Sequence, residues 1–267
     1  DVDVGDTLTM TGTTVPGWLT FDATTGVLSG TPLNANVGDN SVVITVGDGT
    51  TTVTDSFTIT VANTNDAPTI TSTAVTAATE DSLYTYTSTA SDVDAGDTLT
   101  AAGTTVPSWL TFTASTGVLT GTPTNAEVGS HAVVITFSDG TASVTDSFSI
   151  TVANTNDAPT LANPISDASV AEDAAYSLDV SAMCADVDVG DTMAYTLAGA
   201  PTTLSVASGV ISGTPLNADV GTHTITVTCT DGAGATASDS YVLTVTNTND
   251  APTISSTAVT AATEDSA

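Results

Sequence analysis

The sequence predicts an all-β protein made of small sandwiches repeated in tandem, and three observations lead there. Long motifs recur at a nearly constant spacing: Asn-Thr-Asn-Asp-Ala-Pro occupies 63–68, 154–159 and 247–252, offsets of 91 and 93 residues. The acid is almost entirely aspartate, 26 Asp against 4 Glu, and Asp suits turns and oxygen-ligand sites where Glu suits helices. Thr contributes 59 of the 267 residues; it is β-branched and fits a pleated, half-exposed strand, while no useful stretch has the period of an amphipathic helix.

A period near 90 residues is that of a whole sandwich rather than of a solenoid unit of roughly 20–50 residues. Two further motifs keep it: Asp-Val-Asp-x-Gly-Asp-Thr from Asp1, Asp92 and Asp186, and Gly-Val-(Leu/Ile)-x-Gly-Thr-Pro from Gly26, Gly117 and Gly209. They divide the chain into a repeat at 1–66 that lacks its first strands, complete repeats at 67–157 and 158–250, and a tail at 251–267. The tail repeats the opening of the second repeat: Ala251–Ser266 parallels Ala67–Ser82, with Ser255 for Thr71 the one difference. In the second repeat, strands are expected near Thr69–Ala77, Leu83–Thr89, Thr98–Ala102, Trp109–Thr113, Gly117–Thr120, Ala132–Phe137 and Ser147–Val152. Turn chemistry separates them: the Asp92–Asp97 loop, Val106-Pro107, Gly121-Thr122-Pro123 and the hairpin signal Asp139-Gly140. About seven short strands with this punctuation read as an immunoglobulin-like sandwich.

The chain has no Lys or Arg against 30 acidic residues, a formal charge of −30. Nucleic-acid binding by phosphate neutralisation is thereby excluded, as are a polybasic membrane anchor and lysine Schiff-base chemistry. No apolar run nears the roughly 20 residues of a membrane-spanning helix, so membrane insertion is not expected. An apolar fraction of 40% and regular strand alternation speak against a disordered acidic polymer. The start at Asp1, with no Met or leader, reads as the interior of a longer polypeptide.

The acids fall at the ends of the repeats. With strands alternating in direction, Asp92, Asp94, Asp97 and Asp139 lie at the head of the second repeat, where the linker enters. Glu80, Asp81, Asn125 and Glu127 lie at its foot. The linker residues Asn156 and Asp157 join that foot to the next head, with Asp186, Asp188, Asp191 and Asp231. Equivalent candidates elsewhere are Asn65, Asp66, Asn249, Asp250, Asp1, Asp3, Asp48 and Glu264. Crowded carboxylates repel one another, and no side chain of opposite charge exists to offset them. A hard cation taking about 6–8 oxygens at about 2.3–2.6 Å meets that need, which points to Ca²⁺ as the cofactor. Mg²⁺ demands a compact octahedron, and Zn²⁺ lacks clustered His or Cys. An EF-hand is excluded, because Gly103 stands where its closing Glu would be.

The ordered set Asp-x-Asp-x-Gly-Asp, Pro-x-Trp-Leu-x-Phe, Thr-Gly-x-Leu-x-Gly-Thr-Pro, Asp-Gly and Asn-Thr-Asn-Asp-Ala-Pro resembles the dystroglycan-type cadherin-like repeat. This is an immunoglobulin-like tandem module of large bacterial surface adhesins and matrix proteins, and the resemblance spans essentially the whole chain. It implies tandem cadherin-like sandwiches in an extended rod, a secreted cell-surface setting in a bacterium, and calcium between successive domains. In cadherins the ions are held by a Glu near the first turn, an Asn-Asp linker, an Asp-x-Asp in the next domain and an Asp before its last hairpin. Glu80, Asn156, Asp157, Asp186, Asp188 and Asp231 match these positions. The cadherin Asp-Arg-Glu is absent, and Asn125 and Glu127 stand as its substitutes. Cys184 and Cys229 fall on strands equivalent to the pair that an immunoglobulin disulfide bridges, which implies a disulfide; two buried free thiols are the alternative.

Trp18 and Trp109 precede Leu19 and Leu110, and the third repeat has Thr203 at the Trp position. The Trp side chains are therefore expected to face outward, as a sugar-stacking platform or packed across a loop. His131 and His223 share a position with Asn40, which marks turn residues rather than a catalytic His, and repetition itself argues against an enzyme. The leading functional reading is a structural, calcium-stiffened segment of an extracellular adhesin, self-assembling fibre or biofilm matrix. The alternatives are a polysaccharide-binding module and the stalk of a larger secreted enzyme. The expected partners are neighbouring copies of the same repeat, head to tail in a filament. In that arrangement the tail 251–267 completes the first repeat of another copy and brings Glu264 near Asp66, Asp92 and Asp94.

Overall fold

The computed structural model describes residues 4–264, so Asp1 and Asp3 lie outside the described residues. Regular structure in these residues is β-strand apart from single-turn 3₁₀ segments such as Asn125–Glu127. The chain divides into two compact units, residues 1–153 and 154–267. The first unit holds two sandwiches and the second holds one.

The second sandwich has two sheets. One orders Thr100–Thr105, Gly129–Ser138, Ser143–Ala153 and Ala77–Thr79; the other orders Thr111–Thr113, Val118–Gly121 and Tyr84–Thr87. Alternation along Gly129–Ser138 turns Val133, Ile135 and Phe137 inward, where they meet Leu110, Leu119, Tyr84, Tyr86 and Ile150 in one core. Each such side chain contributes about 1.5–3 kcal/mol through burial. The glycine of Gly-Thr-Pro is fixed by a close approach: a Cβ on Gly121 would lie 2.1 Å from the Trp109 carbonyl oxygen.

The expected first strand, 69–77, is broken. Thr69–Ile70 pairs antiparallel with Ala90–Ser91, and the chain then crosses to the other sheet, where Ala77–Thr79 runs parallel to Thr151–Ala153. Ser72 holds the crossing, through its hydroxyl contact with the Tyr86 hydroxyl at 2.8 Å and a bond from the Thr89 N–H at 2.9 Å. The closing hairpin is longer than expected, pairing Gly129 with Val152 through to Ser138 with Ser143. Its Gly- and Ser-rich ends carry little alternation to read. Buried Asp146 ties the two sheets together, accepting from the Tyr86 and Ser88 hydroxyls at 2.6 and 2.7 Å.

The third sandwich repeats this plan, with Ala168–Ala171 parallel to the strand Thr236–Thr246. Its core adds the disulfide Cys184–Cys229. In the second sandwich Phe137 fills the place of Cys229 and is itself buried.

The first sandwich is open. Thr9–Thr14, Gly38–Gly47 and Thr52–Val61 form one sheet, and Leu19–Asp22 pairs with Val27–Gly30. Among the described residues no strand lies beside Thr52–Val61 on its outer edge. Among the described residues there, Val42 is the one fully buried apolar side chain. Ile44 and Ile59 are half-buried where their counterparts Ile135 and Ile150 are fully buried, and Phe57 is 40% exposed.

The disulfide closes a loop of 45 residues, which on chain entropy stabilises by about 4 kcal/mol. Calorimetry with a reductant, or on the Cys184→Ala/Cys229→Ala variant, should shift one unfolding transition downward and leave that of the second sandwich unchanged.

Candidate metal centre

The head of the second sandwich is built from the Asp92–Asp97 loop, the last hairpin and the linker. The loop turns back at Gly96, whose φ of +106° suits only glycine, and is pinned by the Asp94 N–H donating to Asp92 Oδ1 at 2.9 Å. Asp94 is 6% exposed. Its Oδ2 accepts the linker N–H of Asp66 at 2.7 Å, while its Oδ1 and Asp92 Oδ2 are buried with no hydrogen-bond donor in reach. Oxygens of Asp92, Asp94 and Asp97 lie within 4.8 Å of one another.

The linker adds its own oxygens. Asn65 donates from Nδ2 to Asp139 Oδ2 at 3.1 Å and to the Asp66 carbonyl at 2.8 Å. Asp66 Oδ2 accepts from Asn34 Nδ2 of the first sandwich at 2.7 Å. Asp139 Oδ1 accepts the N–H groups of Thr141 and Ala142, each at 2.6 Å. Those donors, Ala142 first, hold the Asp139 carboxyl below the usual Asp range. Asp97 moves the other way: desolvation first, then the negative charges of Asp92, Asp94 and Asp139, push its pKa up.

The head of the third sandwich reproduces the arrangement. The Asp188 N–H donates to Asp186 Oδ1 at 2.9 Å, and Asp188 Oδ2 accepts the linker N–H of Asp157 at 2.8 Å. Asp188 Oδ1 and Asp186 Oδ2 are buried without a donor. Asn156 Nδ2 donates to Asp231 Oδ2 at 2.9 Å. That bond, with the N–H groups of Ala235, Gly234 and Ala233, lowers the Asp231 pKa against the effect of burial. Oxygens of Asp186, Asp191 and Asp231 lie within 4.8 Å of one another.

The remaining candidates divide by local chemistry. Glu80 is buried, its N–H bonded to the Ala153 carbonyl at 3.1 Å, and the left-handed Asp81 (φ 56°) turns the chain after it. Glu127 forms a local cap, Oε2 accepting the Thr124 N–H and hydroxyl at 2.8 Å, and Asn125 opens that 3₁₀ turn. Asp48 caps its hairpin through Thr50 and Thr51, which lower its pKa to about 2. Asp250 accepts from Asn217 Nδ2 at 2.7 Å, with Asn249 bonded to the Asp250 carbonyl. Glu264 is exposed.

Sequence reasoning missed Glu172. It is 2% exposed, with Oε1 accepting the Thr248 N–H at 2.6 Å and Oε2 buried without a donor. The signal was present, since Glu172-Asp173 repeats Glu80-Asp81. Asn34 and Asn217, each two residues after the Pro of Gly-Thr-Pro, were also readable.

The Trp side chains differ from an outward platform. Trp109 is half-buried, edge-on to Tyr84 at 5.8 Å and to His131 at 5.9 Å between ring centres. Trp18 donates from Nε1 to Asn40 Oδ1 at 3.1 Å. His131 and His223 each bond through Nε2 to a 3₁₀-turn carbonyl, of Glu127 and Asp219, and Asn40 likewise donates to Asn36 O. These are turn-holding contacts, as the Asn-for-His exchange indicated.

Both heads thus offer oxygen donors alone, some buried and unpartnered, in a chain without Lys or Arg. That donor set fits a hard divalent cation.

The family model described as Putative Ig domain matches residues 1–62, 67–153 and 158–246. No curated protein sequence matches the chain. Among solved structures, protocadherin gamma B2 extracellular cadherin domains 1–5 align at 18% identity and a TM-score of 0.63, covering 91% of this chain and 53% of that one. Mouse cadherin-23 EC22–24 aligns at 17% identity and a TM-score of 0.55, covering 93% and 89%. An endo-fucoidan hydrolase of glycoside hydrolase family 107 aligns at 26% identity over 90% of this chain, with a TM-score of 0.34. This chain spans about two fifths of that hydrolase and about half of the protocadherin.

The two shifted carboxyls give a titration test. Asp139 has a folded pKa below 3.8, so its contribution is present above its unfolded value and is lost as pH falls through the folded one. Asp97, raised above 3.8, opposes folding once ionised. Carboxyl-detected NMR of the metal-free chain should show Asp97 protonating before Asp139 on acidification.

Proposed function

The chain belongs to the Putative Ig domain family, three copies in tandem, and on that footing we propose that it is a structural, calcium-stiffened repeat segment of an extracellular adhesin or fibre. The observation that carries this is the twice-repeated pair of buried, donor-free carboxylate oxygens, Asp92 with Asp94 and Asp186 with Asp188. A buried carboxylate without a partner costs several kcal/mol, and this chain has no Lys or Arg to supply one.

Calcium supplies the charge and about 6–8 coordination positions. Asp92, Asp94 and Asp97 would hold it at one head, with Asp66 and Asp139 beside them, and Asp186, Asp188, Asp191 and Asp231 at the other. The linker backbone at Asp66 and Asp157 is already bonded to the same carboxylates, so binding there would order the linker. Asn34 extends the first head's network into the preceding sandwich, which makes the ion a brace across that joint. The disulfide supports an oxidising, extracellular setting. Repetition of one immunoglobulin-like architecture along the chain supports a non-catalytic role.

Small-angle scattering in calcium and in chelator tests the reading. Calcium should narrow the distribution of shapes, and chelation should broaden it; identical profiles would rule the reading out. Asp94→Asn and Asp188→Asn remove one charge from each head and should each weaken calcium binding there by roughly tenfold, or about 1.4 kcal/mol, measured by calorimetric titration.

A further inference from the structure

The two heads differ in what joins the aspartate loop to the last hairpin. In both, the strand leading into the loop is two residues long and pairs with the segment leaving the linker: Ala90–Ser91 with Thr69–Ile70, and Cys184–Ala185 with Thr160–Leu161. In both, that short ladder and the hairpin strand belong to different sheets, so backbone pairing does not tie loop to hairpin at this level. At the third head the Cys184–Cys229 bridge does so, from inside the core, with the two residues 7% and 0% exposed. At the second head the same places hold Ala90 and Phe137, joined by apolar packing alone.

The bridge stands two residues before Asp186 on one side and two before Asp231 on the other. Oxygens of Asp186 and Asp191, on the loop, and of Asp231, on the hairpin, lie within 4.8 Å of one another. At the second head Asp92, Asp94 and Asp97 meet as closely, and all three come from the loop. Carboxylates at such distances repel one another. At the third head that force acts between two segments and pushes them apart in the absence of an ion. Asp231 cannot turn away to relieve it. Its Oδ1 accepts the N–H groups of Ala233, Gly234 and Ala235 at 3.0, 2.6 and 2.7 Å, and its Oδ2 accepts Asn156 Nδ2 at 2.9 Å. The carboxylate therefore goes where the hairpin goes, and the bridge holds the hairpin.

We infer that the Cys184–Cys229 bridge is a positioning device for the cation site of the third head, so that the calcium affinity of this head falls when the bridge is opened. The inference rests on the calcium reading above. The ligand oxygens are the same with the bridge open or closed; the bridge sets how far they are gathered before the ion arrives, which is preorganisation. A dithiol opens it by exchange. One thiolate attacks a bridge sulfur, the reductant's second thiol then closes on the mixed disulfide, and the protein keeps two thiols while the reductant leaves as a cyclic disulfide. The second head has no cysteine and does not respond.

Calorimetric titration of calcium tests this, each head being read after Asp94→Asn or Asp188→Asn has weakened the other. Dithiol reduction, and separately Cys184→Ala/Cys229→Phe, which installs the residues of the second sandwich and refills the core, should each weaken calcium binding at the third head by about tenfold and leave the second head unchanged. Hydrogen exchange of the ion-free chain gives a readout that does not depend on calcium. The N–H groups of Ala233, Gly234 and Ala235 should exchange faster with the bridge open, while those of Thr141 and Ala142 keep their rates. Unchanged exchange, or equal affinity at the third head with the bridge open and closed in chains whose third sandwich keeps its own unfolding transition, would overturn the inference and leave the calcium reading standing. An equal loss at both heads would overturn it as well. Absence of saturable calcium binding at either head with the bridge closed would overturn the calcium reading itself, and this inference with it.

Discussion

The fold works under one electrostatic constraint: its carboxylates have no cation of their own. The linker backbone hydrogen-bonds one oxygen of each of Asp94 and Asp188, and the other oxygen of each is buried without a donor. An ordinary protein would place Lys or Arg there. This one has neither, and in the proposed reading an ion from solution balances the charge, which would couple the order of the linker to that ion.

The sandwich is the scaffold that makes this repeatable. Two strands lead into the candidate ligands at the head of the third sandwich, Cys184–Ala185 just before Asp186 and Gly221–Thr230, which carries Cys229, just before Asp231. The disulfide pins them together just beneath the site. In the second sandwich Phe137 occupies the Cys229 place and packs into the core, so apolar packing there substitutes for the covalent link. The same aspartate geometry on two different supports indicates that the loop and linker, not the bridge, define the site.

Much of this was legible in the sequence because the repeats supply their own comparison. Motif spacing located the sandwiches, and alternation placed Val133, Ile135 and Phe137 inward. The fall of Cys184 and Cys229 on the strand pair that an immunoglobulin disulfide bridges pointed to the bond that the structure contains. Elsewhere local hydrogen bonding shaped what the pattern could not show. Glu127 stood out as a candidate ligand from its loop position, and its Oε2 also accepts the N–H and hydroxyl of Thr124 three residues back. The first strand broke because Ser72 diverts the chain between sheets, a choice a single polar side chain makes without altering periodicity. Trp109 packs edge-on against Tyr84, a contact between residues far apart in sequence that a comparison of equivalent positions cannot register.

Calorimetric titration of calcium into the metal-free chain, beside the Asp94→Asn/Asp188→Asn double variant, tests the central claim most directly. The account predicts saturable binding by the parent chain at both heads, with magnesium a poor competitor, and binding that weakens at both heads in the double variant. Absence of saturable calcium binding, or an isotherm unchanged by removing both charges, would contradict it.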